Sequence, residues 1–215
     1  MKKKLLLKDK VAIVTGGAGV IGMAVARRFL EEGAEVVAAD SNGPLLGKNV
    51  RTLKKTFGAA VSGVRTDIRS ASNVRNLMKR TVAARGTIDI LVNAAAIQKP
   101  IGGLLEVSAG DWIKCVNTNI VGTMLCCKAA LPVMAAKRRG KIINFSGGGA
   151  TFPRPNFSAY GASKAAIVRF TETIALEFAR YRIDINAVSP GMVYARMIRE
   201  IIAAVKAAGA SDYTG

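Results

Sequence analysis

Apolar residues along this chain follow two alternating rhythms. Short β-branched runs occupy 11–15 (VAIVT), 35–40 (EVVAAD), 60–67 (AVSGVRTD), 88–93 (IDILVN), 141–146 (KIINFS) and 183–189 (IDINAVS). Their near-continuous apolar character predicts strands covered on both faces. Between them, apolar positions recur every three or four residues over 20–32, 44–57, 71–85, 108–137, 158–180 and 193–208, the pattern of amphipathic helices. Six rounds of strand then helix predict an α/β fold, a doubly wound parallel sheet in three α/β/α layers. No repeat, low-complexity tract or linker divides the chain, so one domain over 1–215 is expected.

In such a sheet, ligands bind outside the carboxyl ends of the strands, where Thr15, Asp40, Asp67, Asn93, Ser146 and Pro190 would gather. The first strand runs into TGGAGVIG at 15–22 and then a helix. Gly16, Gly17, Gly19 and Gly22 let a backbone turn approach a pyrophosphate, which the following helix N-terminus would hold. Asp40 ends the second strand, suited to accept hydrogen bonds from adenine-ribose hydroxyls and to repel a 2′-phosphate. No Lys or Arg lies within 41–46 to host that phosphate, so NAD is favoured over NADP. Asp67 would meet the adenine edge or cap the next helix. Asn93, Ala94 and Ala95 leave room for a flat ligand at the tip of strand four.

The composition removes much other chemistry. The chain has no histidine, which excludes Ser-His-Asp triads, Cys-His pairs and HExxH zinc sites. Three cysteines, Cys115, Cys126 and Cys127, lie in one helical stretch without CxxC spacing and are expected as reduced, buried thiols. Thirty-two Lys and Arg against 14 Asp and Glu give a formal net charge of +18. The cations fall in scattered clusters on helix faces, with no interleaved aromatics, so no specific nucleic-acid site is expected. Solvated faces account for them, with an acidic substrate or weak nonspecific nucleic-acid binding as the alternatives. No apolar run approaches the roughly 18 to 20 residues of a membrane span, and three leucines before Lys8 are too few for a signal core. A cytoplasmic protein is expected.

Proton transfer then rests on Tyr, Lys, Asp or Glu. Tyr160 and Lys164 stand four apart at the start of a helix, so they share a face, and an ammonium there would lower the phenol pKa. Together, TGGAGVIG, Asp40, Asp67, LVNAAA at 91–96, Asn119, INFS, YGASK at 160–164 and NAVSPGMV at 186–193 resemble the short-chain dehydrogenase/reductase family over residues 8 to about 197. The resemblance implies a Rossmann fold and hydride transfer between a nicotinamide and a secondary alcohol or ketone. It assigns Tyr160 as acid/base, Lys164 as its partner and ribose ligand, Ser146 to the reacting oxygen, and Asn119 to a water linking Lys164 to solvent. Implied cofactor contacts are Gly16, Gly19, Ile21, Gly22, Asp40, Asp67, Ile68, Asn93, Ala94, Ala95, Tyr160, Lys164, Pro190, Gly191 and Val193. It also implies a homodimer or homotetramer.

The chain departs from the family pattern at four places. Val20 stands where the turn has glycine, and Ala195 where a threonine is common. The catalytic serine is usual 13 residues before the tyrosine, at Gly147 here, so Ser146 would serve only if the glycines at 147–149 let the loop shift. The chain also stops at Gly215, before an expected last strand. These departures motivate an alternative, a cofactor-binding relative without turnover. Gln98, Lys99, Phe152, Arg154, Phe157, Met192 and Tyr194 are candidate substrate contacts, and Lys99 and Arg154 point to a carboxylate or phosphate.

Overall fold

The computed structural model describes residues 4–191 and Val193. The expected helix over 193–208, the SDYTG end, Met192, Tyr194 and Ala195 lie outside the described residues. Six strands, β1 (Val11–Thr15), β2 (Glu35–Asp40), β3 (Val61–Arg65), β4 (Ile90–Asn93), β5 (Gly140–Phe145) and β6 (Ile183–Val188), form one parallel sheet in the order β3-β2-β1-β4-β5-β6. Val14 pairs with Ala38 on one side and Val92 on the other, so β1 and β4 are neighbours whose connections leave in opposite directions. That divergence opens a crevice at their carboxyl ends.

Side chains alternate across the pleat and build two cores. Ile13, Leu91 and Ile142 face one side, where they meet helices α3 (Ala71–Arg85), α5 (Gly122–Ala136) and α6 (Ser158–Phe178). Ala12, Val14, Ile90 and Val92 face the other, against α1 (Val20–Glu31) and α2 (Gly43–Phe57). This is the doubly wound, three-layer Rossmann arrangement. Helix starts are set by polar caps: Asn42 accepts from Leu45 N, and Ser70 from Asn73 N.

Three sequence expectations need correction. Strand β4 starts at Ile90 rather than residue 88. Asp89 is diverted, accepting from Val11 N and pairing with Lys137. The helix expected over 108–137 is broken into α4 (Ala109–Val116), a π-helical turn (Asn117–Val121) and α5. Counted through that turn, Ala109–Ala136 is long and apolar enough to cross a membrane, contrary to the run-based expectation. Its buried residues Cys126, Cys127, Ala130 and Met134 pack into the core beneath the sheet.

Candidate active site

The glycine turn is fixed by sterics. Gly16 has φ +69°, and a β-carbon there would lie 2.8 Å from Ala95 N. One on Gly22 would collide with the Gly16 carbonyl, so the turn and α1 touch backbone to backbone. Gly19 precedes α1, whose first turn has no side-chain cap and no acidic residue. Its orphan N–H groups and dipole suit a phosphate. Val20, where the family pattern has glycine, is 52% exposed, so its side chain displaces nothing in the turn.

Asp40 is oriented by the same turn. Its carboxylate accepts from Ala18 N at 3.0 Å and from Asn42 N at 2.9 Å. Arg65, from β3, donates through Nε to Ser41 O at 3.3 Å, a cation beside this turn that a search of 41–46 misses. Asp67 neither caps a helix nor stands alone. Arg69 binds it at 2.6 Å, and this hydrogen bonding holds its carboxyl below the ordinary range, while Ser70 is the cap of α3. Ile68 is buried against Gly122, and Ile21 is half-buried in the first turn of α1.

Asn93 is only 3% exposed and belongs to a polar network behind the cleft. It donates to Asn144 Oδ1 at 2.9 Å, and Asn144 donates to Thr171 Oγ1 at 2.9 Å, tying β4 and β5 to α6. Its own Oδ1 has no partner among the described residues. Ala94 and Ala95 are half-buried at the turn, and Thr15 Oγ1 accepts from Ala95 N at 3.3 Å. Pro190 and Val193 are half-buried and Gly191 is exposed beyond β6.

Asn119 is fully engaged. It accepts from Ile97 N (2.9 Å) and donates to Ile97 O (2.8 Å) and Ser163 Oγ (2.9 Å), while Ser163 donates to Tyr160 O (2.8 Å). Its amide therefore ties the β4–α4 loop to α6, and the π turn gives it the reach. Ser163 and Asn144 are contributors that sequence inspection missed; the polar character of positions pointing into apolar helix and strand faces was their only signal.

Tyr160 and Lys164 do share the inner face of α6. Lys164 is 3% exposed, donates to Phe145 O at 2.7 Å, and places Nζ 5.6 Å from the Tyr160 ring centroid. Burial pulls its pKa down to about 8. The Tyr160 phenol is held above its ordinary value by burial, opposed by the charge of Arg154. The expected lowering by Lys164 is thus not what the site shows, because that amine is itself desolvated and turned to a carbonyl. Ser146 is not brought to the phenol either. It is buried and donates to Lys164 O at 3.1 Å, whereas Gly147 is the residue against the Tyr160 hydroxyl.

These parts fit a dinucleotide: a glycine cradle that any β-carbon would fill, an oriented carboxylate at β2, and a Tyr–Lys pair at the other end of the crevice. Among the described residues, no cluster of His, Cys, Asp or Glu suits a metal ion.

Comparison with known proteins agrees with this arrangement. The family model described as short chain dehydrogenase matches residues 10–206. The chain is 32% identical to dehydrogenase/reductase SDR family member 4 of Sus scrofa, covering 90% of this chain and 69% of that protein. It is 35% identical to the 2,3-dihydro-2,3-dihydroxybenzoate dehydrogenase of Bacillus subtilis (strain 168), over 86% of this chain and 70% of the other. The structure of NAD+-bound xylitol dehydrogenase superposes with a TM-score of 0.86 at 31% identity, covering 91% of this chain and 76% of that one. The chain belongs to the short-chain dehydrogenase/reductase family and is a nicotinamide-dependent oxidoreductase.

Proposed function

We propose that the protein interconverts a secondary alcohol and a ketone with NAD, using Tyr160 as the acid/base. The observation that carries this reading is the placing of the Tyr160 hydroxyl at the carboxyl end of β5, with Lys164 beside it on one helical face. When bound, the nicotinamide supplies hydride chemistry. Tyr160 gives or takes the proton at the substrate oxygen, and a histidine-free chain offers no imidazole for that step. Lys164, released from Phe145 O, would hold the nicotinamide ribose and place its charge near the phenol. Asp40 would accept from the adenine-ribose hydroxyls, which supports NAD over NADP. A vicinal diol and xylitol, the substrates in the names of two similar proteins, each contain a secondary carbinol.

Ser146, turned to Lys164 O, favours a second reading, a cofactor-binding protein without turnover. One experiment separates the two. NADH at about 100 times its dissociation constant adds roughly 2.7 kcal/mol of stability, a midpoint rise of about 5–10 °C for a domain near this size. Tyr160→Phe should keep that rise while losing about 10²- to 10⁴-fold in rate across an alcohol panel. A protein that shows the rise but no rate on any alcohol or ketone would be the binding protein.

A further inference from the structure

Residues 41–85 hold 10 of the 32 Lys and Arg and only one of the 14 Asp and Glu, so about a fifth of the sequence carries half of the net charge of +18. These residues form α2, β3 and α3. Among the described residues β3 pairs only with β2, so it closes one side of the sheet. It is clasped between the two helices. Val61 clusters with Leu53 of α2 on one face, and Val64 with Val74 and Leu77 of α3 on the other. The apolar stripe of α2 (Leu46, Val50 and Leu53) is buried in that packing. Lys48, Arg51 and Lys55 follow at i, i+3 and i+7 on its outer surface, spanning about 10 Å at a rise of about 1.5 Å per residue. Asn49 donates to Ala18 O at 3.2 Å, so its flank of α2 faces the glycine turn, and the flank of Arg51 and Lys54 faces out over the β3 edge. Arg75 and Lys79 are exposed on α3.

These six cations form no ion pair among the described residues. Elsewhere in the fold cations meet carboxylates: Arg28 binds Glu32, Lys137 binds Asp89, Lys141 binds Asp184 and Arg169 binds Glu172. The single acid of the segment, Asp67, is taken by Arg69. Like charges gathered on one face repel, and a polyanion laid along them relieves that repulsion. Two further observations choose among polyanions. Leu45 is the only large apolar side chain exposed between 41 and 85 among the described residues, so the face offers no wedge to a lipid surface. Phe57, the one aromatic of the segment, packs against the core, so no ring is offered to unpaired bases. What is left suits phosphates at regular intervals, as the outside of a double helix presents them. We propose that the α2–β3–α3 edge binds the phosphate backbone of double-stranded nucleic acid without regard to base sequence. This binding is independent of the reading of the catalytic site.

The test is fluorescence anisotropy with labelled DNA duplexes of two unrelated sequences, titrated with the protein across a range of salt concentrations. Both duplexes should bind alike, and six phosphate contacts give a slope of log K against log salt of about −5. Arg51→Gln/Lys54→Gln/Lys55→Gln should reduce the slope to about −3 and weaken low-salt binding by about tenfold or more. Arg75→Gln/Lys79→Gln should reduce it to about −4. Lys114→Gln/Lys128→Gln/Arg182→Gln removes three exposed cations from α4, α5 and the turn before β6, the same charge as the α2 variant, and should leave the slope at about −5. Cooperative urea unfolding near the wild-type midpoint shows that each variant is folded. A flat salt response, no duplex binding at about 50 mM salt, or an equal loss in the α4–α5 variant overturns the proposal. So does tighter binding to a single strand of the same length, or binding to phosphatidylserine vesicles but not to duplex.

Discussion

Gly147 lies directly against the Tyr160 hydroxyl: a β-carbon built on it would sit 2.9 Å from the phenol oxygen. The Gly147 backbone is extended (φ 168°, ψ 170°), so side-chain room, not the backbone angle, demands glycine. The family pattern places the serine hydroxyl at this position, and here the phenol has that space. Gly147→Ser is therefore expected to lower kcat by about 10- to 100-fold, because Tyr160 must shift by several tenths of an ångström from its productive position. NADH binding should persist. A rise in kcat, with the variant folded, would show that the loop re-seats and that the serine is welcome.

Ser146 joins β5 to α6 and β6 rather than touching the reacting oxygen. Its hydroxyl donates to Lys164 O at 3.1 Å and its N–H to Val188 O at 2.9 Å. Removing the hydroxyl leaves a buried carbonyl short of one donor, which costs about 1 kcal/mol. Ser146→Ala should lower the urea midpoint accordingly while changing kcat less than about threefold. A hundredfold loss of kcat at unchanged stability would return Ser146 to the substrate oxygen.

In the proposed NAD reading, Asp40 and Arg65 are the groups expected to set the choice between NAD and NADP. The carboxylate would repel a 2′-phosphate, yet the Arg65 guanidinium, bonded to Ser41 O, already stands beside the same turn. Asp40→Ser removes the repulsion and leaves the cation. NADPH affinity should then tighten by about 10- to 100-fold, the worth of a charged hydrogen bond, in a fluorescence titration. Adding Arg65→Gln should reverse the gain. If the single and double variants bind NADPH equally, Arg65 has no part in it.

The pattern of residues revealed what depends on neighbours along the chain. The bounds of β1, β2 and α3 follow from local periodicity, and the glycine turn from its spacing. It did not reveal what depends on contacts across the fold. Asn119, in the π turn that breaks the helix before α5, bonds Ile97, 22 residues earlier, and Arg65 bonds Ser41 O across a strand pair. The present direction of the Ser146 hydroxyl, toward Lys164 O, has a simpler reason. Successive residues leaving a strand point to opposite sides, so a displacement by one position cannot be absorbed by a flexible loop that stays in register. Arg154, six positions before Tyr160 and off its helix, opposes the burial of the phenol, an effect that spacing along a helix face cannot show.

Lys164 gives the site a pH signature that needs no substrate. Burial lowers its pKa to about 8 from an ordinary 10.5. Below pH 8 both folded and unfolded chains hold the proton, and the folded chain bears the full cost of burying an ammonium. Between about 8 and 10.5 the unfolded chain binds more protons, so this group makes stability rise with pH. Above 10.5 the cost has vanished. The gain across that window is on the order of 3 kcal/mol at most. Lys164→Met removes the titration along with the bond to Phe145 O. Urea unfolding of both proteins from about pH 7 to 10 should therefore show wild type gaining on the variant as pH rises. Other groups titrate in this window too, but they are common to both proteins and cancel in the difference. Parallel curves would mean that Lys164 is solvated in solution. The burial that brings its ammonium within 5.6 Å of the Tyr160 ring would then be absent, and the pairing on which the proton-transfer reading depends would be lost.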